Sequence, residues 1–288
     1  MDTPTHDPAA PPSPRTTVAA RSPLRRRGVR LSLLVVGLAA AMLVTNALAS
    51  AVENPFLSVI VGPALAAGMI GLFVWAGRRL EKRVVEEFPR RDTLRHLALG
   101  GGVGLALAAV SIGIIALFGG YRITGWGSVA GAVAVAGTMC AVAVSEEVVF
   151  RGVVLRLLRG RWGTVVALAG SAALFGLLHL INPGASLWGA LAVTIEAGLM
   201  LGAAYLLTGS LWLAIGLHFG WNVALGGIFG TVVSGADAGT AEALLRGATA
   251  GPDWLTGGAF GPEGSVVSVV VCLVATTVLL LLRRRRNR

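Results

Sequence analysis

The chain has 288 residues, 55% of them hydrophobic and only 13% charged, with 40 glycines and a mean hydropathy of +0.77. Soluble domains carry about a quarter charged residues, so a soluble globule and a disordered chain are both excluded. The formal charge of +10, from 24 basic and 14 acidic side chains, sits at the ends of apolar runs, where it orients a membrane protein rather than binding nucleic acid.

Residues 1–29 hold six prolines and five arginines without apolar periodicity, the composition of a disordered cytoplasmic tail. The first charge-free run, residues 31–52, ends in Ala47-Leu48-Ala49, which resembles a signal cleavage site. The tail is too long for a signal n-region, so a retained helix is expected. Further charge-free runs cover 54–77, 97–121, 123–145 and 264–282, each reaching the roughly 18 to 20 residues a helix needs to cross a bilayer. Between them, Arg78 to Arg95 mixes Arg79, Lys82 and Arg83 with Leu80, Val84, Val85 and Phe88. That pattern fits either an amphipathic helix at the anionic inner surface or a plain basic connector.

The apolar block after Arg161 is divided by two turn signals, Asn182-Pro183-Gly184 and Thr208-Gly209-Ser210. The expectation is an all-α polytopic transmembrane helix bundle of eight spans: 31–52, 56–77, 97–119, 129–158, 163–181, 187–207, 211–232 and 264–282. Its parts are a tail (1–29), two N-terminal helices with a basic connector (30–96), a core (97–232), an acidic, Gly-rich external loop without recognisable chemistry (233–263), and a last helix with a basic tail (264–288). In this arrangement 22 of the 24 basic residues lie on the side of residue 1, leaving Arg122 and Arg246 opposite. The positive-inside rule then predicts a multi-pass plasma-membrane protein with both termini cytoplasmic. Trp162, Trp188 and Trp212 stand near span ends as interface anchors. Cys140 and Cys272 both lie in apolar segments and form no disulfide framework or zinc-cysteine motif.

Ionisable groups inside a span cost several kcal/mol unless paired or hydrated, so each marks a functional site. They are Glu146, Glu147 and Arg151 on the fourth span, His179 on the fifth, Glu196 on the sixth, and His218 with Asn222 on the seventh. Glu147 and Arg151 are four apart, share a helix face and form a neutralised bracing pair. Glu146, rotated by about 100° from Glu147, is the spare carboxylate. His218 and Asn222 share a face, as do Phe175 and His179. At 1.5 Å per residue, Glu146, His218 and Asn222 come to roughly 12 to 20 Å of depth and His179 to about 24 Å.

Taken singly, either histidine reads as a polar bridge between helices. Together with a carboxylate and an amide they make a hydrolytic site: a glutamate to take a proton from water, an imidazole to hold that water, and an imidazole with an amide to stabilise an oxyanion. Glu196 has no basic partner at helical spacing and is expected either to line the cavity, with Phe175, or to bridge helices. Proton-coupled transport is the rival function, since intramembrane Glu and His also form proton relays. No repeated broken helices support it. A catalytically inactive membrane scaffold is the other alternative.

At these residues the chain resembles the type II CAAX prenyl endopeptidase and bacteriocin-processing superfamily, the CPBP or Abi intramembrane proteases. Glu146-Glu147-Val148-Val149-Phe150-Arg151 is similar to its EExxxR motif, Phe175-Gly176-Leu177-Leu178-His179 to FxxxH, and His218-Phe219-Gly220-Trp221-Asn222 to HxxxN. The resemblance covers roughly residues 95–232. It implies that Glu146 is the water-activating base, His179 its partner on the water, His218 and Asn222 the oxyanion stabilisers, and Glu147 with Arg151 the bracing pair. It also implies a membrane-embedded or lipid-modified peptide or protein substrate. Some members are labelled metalloproteases, and Glu146, His179 and His218 would be the ligands of a catalytic zinc. With no HExxH helix, and with Asn222 better suited to an oxyanion hole, no cofactor is expected.

Overall fold

In hydrocarbon every backbone amide must be bonded within its own segment, and the apolar runs are accordingly helical. The structure, a computed structural model, describes residues 23–236 and 243–288, the side chains of 23–27 excepted. The helices are α1 (Pro23–Ser50), α2 (Pro55–Ala76), α3 (Thr93–Leu117), α4 (Val129–Glu147), α5 (Arg156–Leu178), α6 (Leu187–Val193), α7 (Leu199–Thr208), α8 (Leu211–Asn222), the short α9 (Asp253–Thr256) and α10 (Val266–Arg286). Strands β1 (Tyr121–Trp126) and β2 (Leu245–Thr249) pair antiparallel at one end, a small addition to an otherwise all-helical bundle.

Seven of the described helical stretches are long and apolar enough to cross a membrane. The longest, Val129–Ile181, has 53 residues and is broken at Gly163, whose φ of 79° and ψ of 178° no helix can hold. Divided there, the described residues supply eight candidate spans. α6 and α7, joined through a π-helical turn at Thr194–Gly198, make one span. Polar residues start the passes: the Asn54 side chain accepts from the Phe56 and Leu57 amides. Ser128, Ser186, Ser210 and Ser265 cap α4, α6, α8 and α10 in the same way.

Several boundaries differ from the sequence expectation. Residues 23–29 already belong to α1; the remainder of the expected tail, 1–22, lies outside the described residues. The segment 78–95 is a connector rather than an amphipathic helix. A π turn over Gly77–Glu81 ends at Lys82 in the left-handed region, and helix resumes only at Thr93. Pro89 disfavours helix at the residue before it. Arg83 bonds Glu81 at 3.0 Å and Glu87 at 2.9 Å, while Phe88 packs edge-on against Phe73 and Trp212. The loop 233–263 is not featureless either. Among its described residues it supplies β2 and a buried carboxylate, Glu263, which accepts from Trp221 Nε1 at 2.9 Å, Ser234 Oγ at 2.7 Å and the Ser234 amide. Residues 237–242 of that loop are outside the described set.

Glycines set the helix spacing. A Cβ at Gly104 would strike the Leu217 carbonyl, and one at Gly220 the Gly101 carbonyl, so α3 and α8 meet backbone to backbone. Gly62 and Gly137 do the same for α2 and α4, and Gly176 lies against Ala190 and Thr194 of the sixth span. Apolar side chains gain little by leaving lipid for another apolar surface, so such close approach is what holds membrane helices together. Gly137→Leu and Gly104→Leu should each cost about 1–3 kcal/mol or more through overpacking, read as a lower melting temperature in detergent, whereas Gly102→Leu, which faces open space, should melt like the parent.

Candidate active site

Glu146 and Glu147 end α4, and from Val148 to Leu155 the helix is underwound into π geometry. A second π stretch spans Thr194–Gly198 around Glu196, and a third, Val223–Ile228, follows Asn222 directly. Underwinding interrupts the regular carbonyl pairing and collects at functional sites. Here it releases backbone oxygens to side chains: Ser171 Oγ donates to the Phe150 carbonyl at 2.8 Å, and Arg151 Nη2 donates to Ala197 and Gly198 carbonyls at 3.1 Å each.

Arg151 and Glu147 have no exposed surface. Arg151 Nη1 donates to Glu147 Oε1 at 2.7 Å, the bond expected from their spacing, and the guanidinium lies 4.6 Å from the centroid of the Phe175 ring. The same Glu147 oxygen accepts from His218 Nδ1 at 3.1 Å. Glu147 therefore does more than brace its own helix: it reaches α8, accepts the Nδ1 hydrogen bond and so turns His218 Nε2 towards Glu146, whose Oε2 lies 3.9 Å away.

Glu146 is held from a different direction. Asn46 of α1 donates its Nδ2 to Glu146 Oε1 at 3.2 Å, and its Oδ1 accepts from Ser145 Oγ at 2.7 Å. Asn46 was not singled out from the sequence, although an amide inside the otherwise apolar run 31–52 is the kind of intramembrane polar group that signals a partner. His179, in the 3-10 turn after α5, has Nδ1 at 2.8 Å from the Phe175 carbonyl. A carbonyl only accepts, so Nδ1 carries a proton, which leaves Nε2 as the ring nitrogen free to engage another partner. Phe175 packs beside both imidazoles, at 4.7 Å from His179 and 6.1 Å from His218 between ring centroids. The only described partner of the Asn222 amide is the weak acceptor Met139 Sδ at 3.6 Å.

Glu146, His179, His218, Asn222 and Asn46 line one cavity of about 600 Å³. Phe175 and Glu196 are not in that wall, which for Glu196 leaves the reading as a buried residue between helices. Phe175 is the platform beneath the histidines, and Glu196 is buried with neither carboxylate oxygen hydrogen-bonded. Nor does Glu196 reach Arg151, which bonds the backbone one and two residues further on. The depth mismatch of His179 is absorbed because the fifth span starts at the Gly163 break and stops short, at the turn that carries the imidazole. Among the described residues, no group of three or more His, Cys, Asp or Glu side chains is gathered tightly enough to hold a metal ion. Glu146, His179 and His218 line the wall of the same cavity.

Residues 128–224 match the family described as type II CAAX prenyl endopeptidase Rce1-like. The matched segment contains all three motifs and supports a CPBP or Abi type of family for the chain. Asn46 and Glu263 lie outside it. No curated protein and no solved structure matches the chain. With its apolar helices the protein is an integral membrane protein.

Removing one partner of a buried ion pair costs about 3–5 kcal/mol. Glu147→Gln, which leaves Arg151 uncompensated and loosens His218, should lower the melting temperature in detergent well beyond Glu146→Gln, whose hydrogen bond is to the neutral Asn46 amide and whose nearest ring nitrogen, on His218, stands 3.9 Å away. Equal losses would contradict the shared role of Glu147.

Proposed function

We propose that the protein is an intramembrane endopeptidase that hydrolyses peptide bonds of membrane-associated substrates with water activated by Glu146 and without a metal. The observation that carries this reading is the convergence of one carboxylate, two imidazoles and one amide on a single cavity wall, each imidazole tied at Nδ1 so that Nε2 faces the reaction.

In this mechanism a water lies between Glu146 and the lone pair of His179 Nε2. As its oxygen attacks the scissile carbonyl carbon, its proton passes to Glu146. The carbonyl π electrons move onto oxygen, and the oxyanion is met by Asn222 Nδ2 and by His218 Nε2 in its doubly protonated form, with Glu147 beside Nδ1 compensating the charge. Collapse of the tetrahedral intermediate re-forms the carbonyl and breaks the C–N bond. The proton held by Glu146 goes to the departing nitrogen, which restores the carboxylate. Asn46 acts through Glu146, holding Oε1 so that Oε2 is presented to the water.

Quenched fluorogenic peptides presented to the purified protein in detergent give the test. Glu146→Gln should abolish hydrolysis while leaving folding nearly intact, because an amide keeps the shape and cannot take the proton. Asn222→Ala should lose about 10² to 10³ in rate, the usual effect of one oxyanion donor, and retain measurable turnover. Asn46→Ala should lose about 10- to 100-fold in kcat, as when an orienting partner is removed, with KM unchanged. Exhaustive chelation should leave the wild type active. Full activity in Glu146→Gln would refute the assignment.

A further inference from the structure

The two ends of the bundle differ in charge, and the cavity belongs to one of them. At the first end the connector 77–92, the turn around Arg156 to Gly163, the turn at 208–210 and the end of α10 come together. Arg156 bridges Glu81 at 2.7 Å, the Leu211 amide donates to the Glu87 carbonyl at 2.9 Å, and Arg286 donates to the Leu207 carbonyl at 3.0 Å. Arg78, Arg79, Lys82, Arg90, Arg159 and Arg161, together with the last four arginines of α10, lie here. At the second end are the turn 51–54, the β1–β2 pair, the turn 182–186 and the segments 229–236 and 243–265. These are joined by bonds such as Gly184 N to Gly235 O and Ser128 N to Ala243 O, both 2.8 Å. Among the described residues the only basic ones at this end are Arg122 and Arg246.

Every rim residue of the cavity comes from the second end: Ser50, Val52, Glu53, Asn182, Ser234 and Ala236. Its floor is Glu146, His218 and Asn222, and no wall residue comes from the arginine-bearing connector, from the turns at 156–163 and 208–210, or from the end of α10. Basic residues flanking spans stay on the cytoplasmic side, and that side here is the floor side. We infer that the cavity opens on the outer face of the membrane and takes its substrate there, as a polypeptide segment exposed or anchored on the extracytoplasmic side, rather than as a lipid-modified tail presented from the cytoplasm. The word substrate rests on the protease reading. The sidedness does not.

Single cysteines introduced with Cys140 and Cys272 replaced by alanine test the sidedness. Glu53→Cys, at the exposed rim, should react with a membrane-impermeant maleimide in intact cells as fully as after permeabilisation. Arg79→Cys, exposed at the opposite end, should react only after permeabilisation; the reverse pattern overturns the inference. Reporter fusions after Arg288 avoid any substitution in the bundle: a green fluorescent protein should fluoresce and an alkaline phosphatase should be inactive, and a phosphatase-active fusion overturns the inference as well. Labelling needs no catalysis, so Glu146→Gln should leave it unchanged. If labelling holds and no preparation hydrolyses peptide, the protease reading falls and the sidedness stands. If peptide is hydrolysed while Glu53→Cys is reached only from the cytoplasm, the sidedness alone falls.

Discussion

A guanidinium with no exposed surface must find compensation for its charge inside the bundle, and the arrangement around Arg151 follows from that requirement. An uncompensated charge at this depth costs several kcal/mol. Arg151 meets it with four contacts: the Glu147 carboxylate, the carbonyls of Ala197 and Gly198, and the face of Phe175. These lie on the fourth, sixth and fifth spans, and Glu147 extends the network to the seventh through His218. The groups that would perform chemistry are therefore positioned by one that would not. A shift of the fifth, sixth or seventh span would break one of these contacts, so the network ties four spans to one another.

Charge compensation fixes which spans meet, and backbone packing fixes how closely. α8 carries His218 and Asn222, and its glycines bring it onto α3 without an intervening side chain. α4 carries Glu146 and is seated against α2 through Gly62 and Gly137. An apolar interface of larger, more flexible side chains would allow sliding. Glu146 and Glu147 close the regular part of α4, and the rotation of about 100° between consecutive α-helical residues turns one to the cavity and the other to the buried network, while the π stretch that starts at Val148 affects only the residues after them.

Much of this was legible in the sequence because it depends on local spacing. The apolar runs marked the helices, the turn residues marked their division, and the four-residue separation of Glu147 and Arg151 put both on one face. What escaped depends on contacts across the chain. Asn46 and Glu146 are a hundred residues apart, and no periodicity links them. The bond from His218 to Glu147 was hidden because the intrahelical partner Arg151 already accounted for Glu147. The π turns leave no mark in composition. Glu196 could be read from the sequence either as lining a cavity or as bridging helices, and its complete burial depends on neighbours that no local spacing reveals. Glu263 sits in a segment whose glycines concealed a fixed structure.

The order in which the chain is made gives the Glu147–Arg151 bond another consequence. The fourth span leaves the ribosome well before residue 218 exists, so the nascent helix must partition into the bilayer with neither His218 nor the Ala197 and Gly198 carbonyls present. Each charged residue at a helix centre resists insertion by about 2.5–3.5 kcal/mol. The bond closes within a single turn of helix, so span four enters the lipid with the guanidinium already compensated, and its other partners arrive later. A network in which Arg151 depended on a later span would have exposed a bare cation to hydrocarbon during synthesis. Placing both charges on one helix separates membrane insertion from assembly of the site.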